Sequence, residues 1–421
     1  MSAGCQYDVV VIGGGMAGLM AAARAASRGK SVLLLAAGSG TLSLSTGCVD
    51  VWGYAGPNKA MAVNPVAEIR EMIRYNPDHP YAAAADMLEE SLAFFQDLCR
   101  QMNCHYLAKD QANQLLPTAL GTVRPTYLAP AGQVPRNPAD LKKAVVVGFK
   151  GLKDFFPAVI ATNLKRSGWL PAGCRVEAIQ LELFSPGELR AEFLARRLET
   201  SEGRVELARH LKTAVTRDTL LLLPAVLGTR WDSTVAAELT AELDCQVVEL
   251  PGLPPSLPGK RLSDMLFTCI RRAGAEVRPG CTVVGAVAED RTCRAVVVQA
   301  GNDRQEIRAR YFILCTGSFL GGGLTAGPDG IRETVFNLPV WTGHTGPVSG
   351  ANADFFSLSG HPVLRSGIKV NAQLTPVHEG KEIFTNVLAA GAVLAGSDFT
   401  REKCGNGLAL ATGYKAGSLV D

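Results

Sequence analysis

"YDVVVIGGGMAGLMAAARAASRGKSVLLLAAGSG" runs from Tyr7 to Gly40 and decides how the rest of the chain is read. A short apolar run, Val9 to Ile12, has the composition of a strand buried on both faces. It leads into Gly13, Gly14, Gly15 and Gly18, and an alanine-rich stretch of helix formers follows. In such a strand–turn–helix unit the glycines allow a tight turn and a close approach of backbone to phosphate. The helix start then supplies free N–H groups and the positive end of its dipole. About twenty residues on, the second apolar run should end in Asp or Glu to hold a ribose hydroxyl. Here it ends Leu35-Ala36-Ala37-Gly38. The unit predicts a phosphate-bearing cofactor that does not need that carboxylate.

The chain around this unit is 421 residues long, enough for two domains or for one domain with a large insertion. Its 47% hydrophobic and 19% charged residues suit a packed core and argue against long disorder. A net charge of +3 is too small to point to nucleic acid or an anionic membrane surface. The longest apolar candidate, Leu220 to Gly228, holds a proline and is strand-sized, so no membrane span is expected. The first strand begins close to the N-terminus, which leaves no room for a signal peptide and predicts a cytoplasmic protein. The eleven cysteines (5, 48, 99, 104, 174, 245, 269, 281, 293, 315 and 404) include no Cys-x-x-Cys pair. They read as small buried hydrophobes in a reducing compartment, and no metal site is expected.

Further along, the texture changes twice. Residues 76–257 hold helical stretches, the strand-like "KKAVVVGFKG" and "TLLLLPAVLG", and a proline-punctuated close, "ELPGLPPSLPGKRL". From Lys260 to Arg272 the apolar spacing is helical. A short strand "AEVRPG" and the alternating runs "CTVVGAVAED", "CRAVVVQAG" and "QEIRARYFILCTG" predict a three-stranded meander that returns to the opening sheet. Near the C-terminus an apolar strand meets Gly391. Gly405-Asn406-Gly407 then opens a second helix whose start suits negative charge. The expected fold is α/β: a two-part Rossmann-like domain (1–75 and 258–421) with the meander and a large inserted α/β cap (76–257).

Taken together, the N-terminal turn, the polar loop after strand two, "FILCTGSF" and "AAG…GNG…ATGYKAG" resemble the flavin-binding domain of the fumarate reductase and succinate dehydrogenase flavoproteins. "LSLSTGCVDVW", "LGTVRPTYLAP", "KKAVVVGFKGLKDF", "LPGLPPSLPGKRL" and "FLGGGLTAGPDGIRE" look more narrowly like the B subunit of anaerobic glycerol-3-phosphate dehydrogenases, end to end. That resemblance implies oxidation of glycerol 3-phosphate to dihydroxyacetone phosphate, with electrons passing through flavin to quinone and then to fumarate or nitrate. It also implies a catalytic A subunit, with an iron–sulfur C subunit that tethers the pair to the inner membrane face. FMN is the cofactor it implies. FMN has no adenosine ribose, so Ala36-Ala37 agrees with it; FAD is the alternative, because backbone groups alone can hold that ribose. The other readings are a stand-alone flavin dehydrogenase or reductase with its own small substrate, and a cofactor-free scaffold subunit.

The resemblance assigns Gly13, Gly14, Gly15 and Gly18 to the phosphate, and Ser45, Thr46 and Gly47 to flavin contact. Gly317, Gly391, Gly405 and Gly407 join them from the C-terminal half. Arg124, Arg261 and Arg332 lie in the family-like stretches and are candidates for an anionic substrate, since arginine suits phosphate or carboxylate. His344 and His361 titrate near neutrality but sit in no supporting pattern. Cys48 and Cys404 flank the glycine loops, with nothing in the sequence to lower their pKa. No acid–base pair for alcohol oxidation is legible.

Overall fold

The computed structural model describes residues 6–56, 60–184, 187–343, 350–357 and 359–421. They form two compact units, one of residues 1–42, 49–98 and 266–421 and the other of residues 43–48 and 99–265. The first opens with β1 (Tyr7–Ile12), α1 (Met16–Ser27) and β2 (Val32–Ala36), and continues through α2 (Pro65–Tyr75) into α3 (Leu88–Gln101). β1 pairs in parallel with β2, Val9 opposite Val32 and Ile12 opposite Leu35. Val9, Val10, Val11 and all of β2 are buried, so neither strand shows polar alternation.

The second unit is built around a four-stranded sheet. It comprises β3 (Lys143–Phe149), α4 (Pro157–Ser167), β4 (Arg175–Leu181), α5 (Ala191–Leu198), α6 (Ser201–Leu211), β5 (Thr219–Pro224), α7 (Thr234–Leu243) and β6 (Gln246–Leu250). All pairings within this sheet are parallel, in the order β4-β3-β5-β6, and two short antiparallel pairs lie outside it. Ile160 and Leu164 of α4 pack with Val146 and Leu222 on one face. Leu194, Leu207 and Leu239 from α5, α6 and α7 pack with Val147 and Leu223 on the other. This doubly wound arrangement explains why "AVVV" and "LLLL" read as unbroken apolar runs.

A helix, α8 (Leu257–Arg272), carries the chain back, and β7 (Glu276–Pro279) joins the edge of β2. The meander follows as β8 (Thr282–Glu289), β9 (Thr292–Ala300) and β10 (Asp303–Leu314). β10 serves two sheets in succession. Residues 303–308 pair antiparallel with β9, and 309–314 pair in parallel with β1. Its burial changes accordingly, from mostly exposed positions to a buried run at Phe312–Leu314. β11 (Val387–Ala389) adds on the far side of β10, and α9 (Phe399–Glu402) and α10 (Gly405–Ser418) complete the unit. The two-part Rossmann-like α/β architecture with a meander is as expected.

The units divide at 98/99 and 265/266, where the sequence suggested 75/76 and 257/258. The cause is α10, which holds the 86–98 stretch to the first unit. Lys415 bonds Asp86 at 2.8 Å, Tyr414 donates to Glu90, and Arg24 lies over the Phe94 and Tyr414 rings. Between α10 and α1 the helix backbones meet closely. A Cβ on Gly413 would lie 2.2 Å from the Ala17 carbonyl oxygen, and one on Gly417 2.4 Å from that of Ala21.

Candidate functional site

In the first unit the carboxyl ends of β1, β10 and β11 are neighbours, so the three loops that leave them share one edge of the sheet. The β1 loop is the glycine turn. Gly13 has φ +121°, and a Cβ there would sit 2.2 Å from the Cys315 carbonyl oxygen. On Gly18 it would sit 1.9 Å from the Gly13 carbonyl oxygen, and on Gly14 2.9 Å from Ala36 Cβ. These three glycines let protein pack on protein. Gly15 differs, because a Cβ there meets nothing within 4 Å. Gly15 also occupies the N-cap of α1, where no side chain caps the helix. Its free N–H groups therefore lie beside open space.

The β10 loop begins with Thr316, whose hydroxyl is buried without a hydrogen-bond partner, and Gly317, at φ +76°. Gly391, at the end of β11, donates its N–H to Thr412 Oγ1 at 2.9 Å and approaches Ala17 so closely that a Cβ would lie 2.7 Å from that of Ala17. α10 then starts at Gly405 with Cys404 as N-cap, no side-chain cap and no acid in its first turn. Gly405 is exposed, whereas Gly407 is a packing glycine whose N–H bonds the Asp50 carbonyl at 3.0 Å. Burial first, and the Glu402 carboxylate second, push the Cys404 thiol well up, so it stays protonated and unreactive.

The Ser45–Gly47 loop belongs to the second unit, and residues distant in sequence set its shape. Arg124 Nη2 donates to Thr46 Oγ1 at 2.6 Å, Gln133 Nε2 to the Thr46 carbonyl at 2.9 Å, and the Tyr106 hydroxyl to the Gly47 carbonyl at 2.6 Å. Cys48 donates its thiol to Gln133 at 3.2 Å, and Ser45 Oγ accepts the Gly47 N–H at 3.3 Å. Arg124 thus reaches a predicted loop. Arg261 does not: its guanidinium forms a two-pronged pair with Glu249, at 2.6 and 3.0 Å, and donates to the Gly228 carbonyl. Glu249 in turn accepts the Leu227 N–H, so Arg261 fixes the loop after β5 and is not available to a ligand. Arg332 is exposed on the hairpin strand Gly330–Glu333. His361 is bound within its own loop to Asn352 N–H and Phe355 O, and His344 lies outside the described residues. Nine of the ten described cysteines are buried and Cys174 is partly so, which agrees with their reading as small apolar groups.

One group escaped the sequence reading. His79, Asp398, Glu402 and Cys404 converge just before α10, and only "SDFTRE", an N-cap acid followed four residues later by Glu, carries a local sign of it.

A family model described as an FAD binding domain matches residues 8–408. The B subunit of anaerobic glycerol-3-phosphate dehydrogenase from Vibrio cholerae is 30% identical over 97% of this chain and 95% of its own length. The protein of the same name from Pectobacterium atrosepticum is 32% identical over 96% of each chain. The chain belongs to the FAD-binding-domain family and to the B-subunit family of anaerobic glycerol-3-phosphate dehydrogenases. Among solved structures, the open conformation of a flavocytochrome c3 fumarate reductase covers 100% of this chain and 79% of its own, at 11% identity and a TM-score of 0.46.

This membership makes the chain a flavoprotein of the oxidoreductase class. It does not support FMN, which the missing acid had favoured, because the matching model is one for FAD. The missing acid does not decide between the two flavins, for a physical reason. Residues 37–39 after β2 are exposed, so backbone there can reach a ligand where no carboxylate does. Among the described residues, no helix is long and apolar enough to cross a membrane.

Proposed function

We propose that this chain is the flavin-bearing B subunit of an anaerobic glycerol-3-phosphate dehydrogenase, carrying FAD. In this reading the N-terminus of α1 takes the pyrophosphate at Gly15, on a turn that Gly13, Gly14 and Gly18 allow to pack closely. The exposed backbone of residues 37–39 takes the adenosine ribose. Thr316 and Gly317 border the cofactor at the end of β10, and the α10 start, at Gly405 and Gly407 beside Gly391, faces the pyrimidine end of the ring. Ser45, Thr46 and Gly47, in the loop that Arg124 braces, are the second unit's own candidates for flavin contact. The observation that carries the reading is the opening of α1: an uncapped helix start, open space at Gly15, and the orphaned Thr316 hydroxyl in the strand end against which Gly13 packs. Those features suit an anionic group that brings its own acceptors.

When bound, a flavin accepts two electrons from an alcohol carbon and can hand them singly to iron–sulfur centres. The chain's part is to hold the ring, keep water from it and stabilise negative charge at its pyrimidine end with the α10 dipole. Glycerol 3-phosphate is oxidised to dihydroxyacetone phosphate by the complex with a catalytic A subunit. An iron–sulfur C subunit holds both at the inner membrane face and leads the electrons to quinone, with fumarate or nitrate as terminal acceptor. The test is to release the chromophore from the purified chain with acid and identify it, then to mix the chain anaerobically with glycerol 3-phosphate. FAD at one per chain, reduced by substrate only when the A subunit is added, is expected. A chain without flavin would defeat the flavin reading, and rapid bleaching without the A subunit would defeat the division of labour.

A further inference from the structure

Glu402 closes α9, and one of its oxygens, Oε2, accepts from three directions. The donors are the Asp398 N–H at 3.0 Å, the Cys404 thiol at 3.3 Å and His79 Nε2 at 3.4 Å. The His79 tautomer follows from its other nitrogen: Nδ1 accepts the Tyr81 N–H at 3.2 Å, so the ring proton is on Nε2. The imidazole has no exposed surface and is boxed in, edge-on to Trp52 at 5.4 Å and stacked on Tyr81 at 5.6 Å. It cannot swing away from the carboxylate. Glu402 itself keeps 17% of its side chain in contact with solvent.

A helix cap accounts for only part of this. Asp398 Oδ1 accepts the Thr400 and Arg401 N–H groups, and Glu402 returns a bond to the Asp398 N–H, a reciprocal capping arrangement. Such a cap needs neither a buried imidazole nor a thiol on the same oxygen. Three donors on one oxygen describe a carboxylate whose charge is held in one place. That place is the start of α10, since Cys404 is the N-cap of this helix and no side chain caps it. Asp50, Asp398, Tyr81, Cys404 and His79 are among the titratable groups around it, and Arg401 lies beside Asp398.

We propose that Glu402 is a positioning residue that offsets the positive end of α10 and so holds down the reduction potential of the bound flavin, with His79 and Cys404 fixing its carboxylate. This rests on the reading that α10 faces the pyrimidine end of the ring. The sign is simple: a fixed negative charge disfavours the form that has gained electrons. The reduced cofactor then gives up its electrons more readily, which suits a subunit that passes them on. A unit charge several ångströms away, partly screened by solvent, changes the oxidised-to-reduced ratio about tenfold.

The test uses the purified flavin-loaded protein equilibrated with a reference dye of known potential, together with its flavin content. Glu402→Gln keeps the shape and removes the charge, and should move the ratio about tenfold toward reduced at unchanged flavin content. Cys404→Ala leaves the charge, still held by His79 and the Asp398 N–H, and removes a donor that partly neutralises it, so the ratio should move the other way by a smaller factor. A purely structural role predicts no such opposition of sign. Flavin-loaded Glu402→Gln with the parent ratio overturns the proposal. If Glu402→Gln loses its flavin or its fold, Cys404→Ala decides: a shift toward oxidised supports the proposal, and no shift or a shift toward reduced overturns it. A parent chain that holds no flavin at all would defeat the underlying reading and is recognised by flavin content alone.

Discussion

Gly15 and Gly18 stand three residues apart in one motif, yet alanine should act at them in opposite ways. At Gly15 the backbone is extended (φ −82°, ψ −176°), a conformation any residue adopts, and a Cβ meets nothing within 4 Å. Gly15→Ala should therefore leave the flavin-free chain unharmed, or stabilise it by about 0.4–1 kcal/mol through the unfolded state. Its cost falls on the ligand. A methyl group beside the uncapped N–H groups holds phosphate off, and losing one or two charge-assisted hydrogen bonds costs about 3 kcal/mol, about 10²-fold in Kd. At Gly18 the Cβ would lie 1.9 Å from the Gly13 carbonyl oxygen. The turn and α1 must move apart, and Gly18→Ala should lose about 3 kcal/mol of stability with or without flavin. Urea unfolding of the flavin-free chains and titration with FAD, followed by fluorescence quenching, separate the two effects. Equal destabilisation by both variants, or parent affinity for FAD in Gly15→Ala, would refute the assignment of Gly15 to the ligand and the other glycines to packing.

Three further changes test the scaffold. Gly413→Ala would set a Cβ 2.2 Å from the Ala17 carbonyl oxygen and should cost about 2 kcal/mol by forcing α10 off α1, read as a lowered urea midpoint. Glu249→Leu strands the Arg261 guanidinium in the interior and should cost about 3–5 kcal/mol, most of it recovered in the Glu249→Leu/Arg261→Met double variant. Asp8 accepts the Ser31 N–H and hydroxyl at 2.8 and 2.9 Å, and these bonds, the backbone one first, hold its carboxyl below the usual range. A depressed folded pKa contributes stability above the unfolded value, near pH 4, that is lost as pH falls through the folded one. Asp8→Asn should therefore be less stable than the parent at pH 7, with the gap closing below about pH 4 in urea unfolding at the two pH values.

The sequence disclosed most where burial is two-sided or local. β1 and β2 could be read because both faces are covered, leaving unbroken apolar runs. Even the double life of β10 is written in its residues, since "QEIRAR" alternates where the meander has one covered face and "YFIL" does not where the strand enters the parallel sheet. The second sheet was not legible as such. Its central strand pairs Val145 with Glu177 and with Leu221, partners set by chain crossings that no local pattern records. The same limit separates Arg124 from Arg261. Both stand in family-like stretches, and only the fold reveals that one braces the Thr46 loop while the other is bound to Glu249.

Spacing alone also cannot say what a glycine is for. The motif requires small residues at Gly13, Gly15 and Gly18, but two of the three are needed because carbonyl groups crowd them and one because nothing does. Only the last faces space a ligand could fill. The charged cluster at α10 shows the opposite difficulty, with chemistry assembled from residues that carry no motif. His79 and Glu402 are 323 positions apart, and each looks ordinary in its own segment. What gives them meaning is that the segment following β2 and the last turn before α10 pack together, tied by the Gly53 N–H to the Glu402 carbonyl at 2.7 Å. A buried imidazole with its tautomer fixed is an expensive way to hold a half-buried carboxylate unless the position of that charge matters. The start of α10 beside it carries a dipole already aligned, and the proposal sets the flavin's change of charge there. Three donors converge on one oxygen of Glu402, and convergence is a property of the fold.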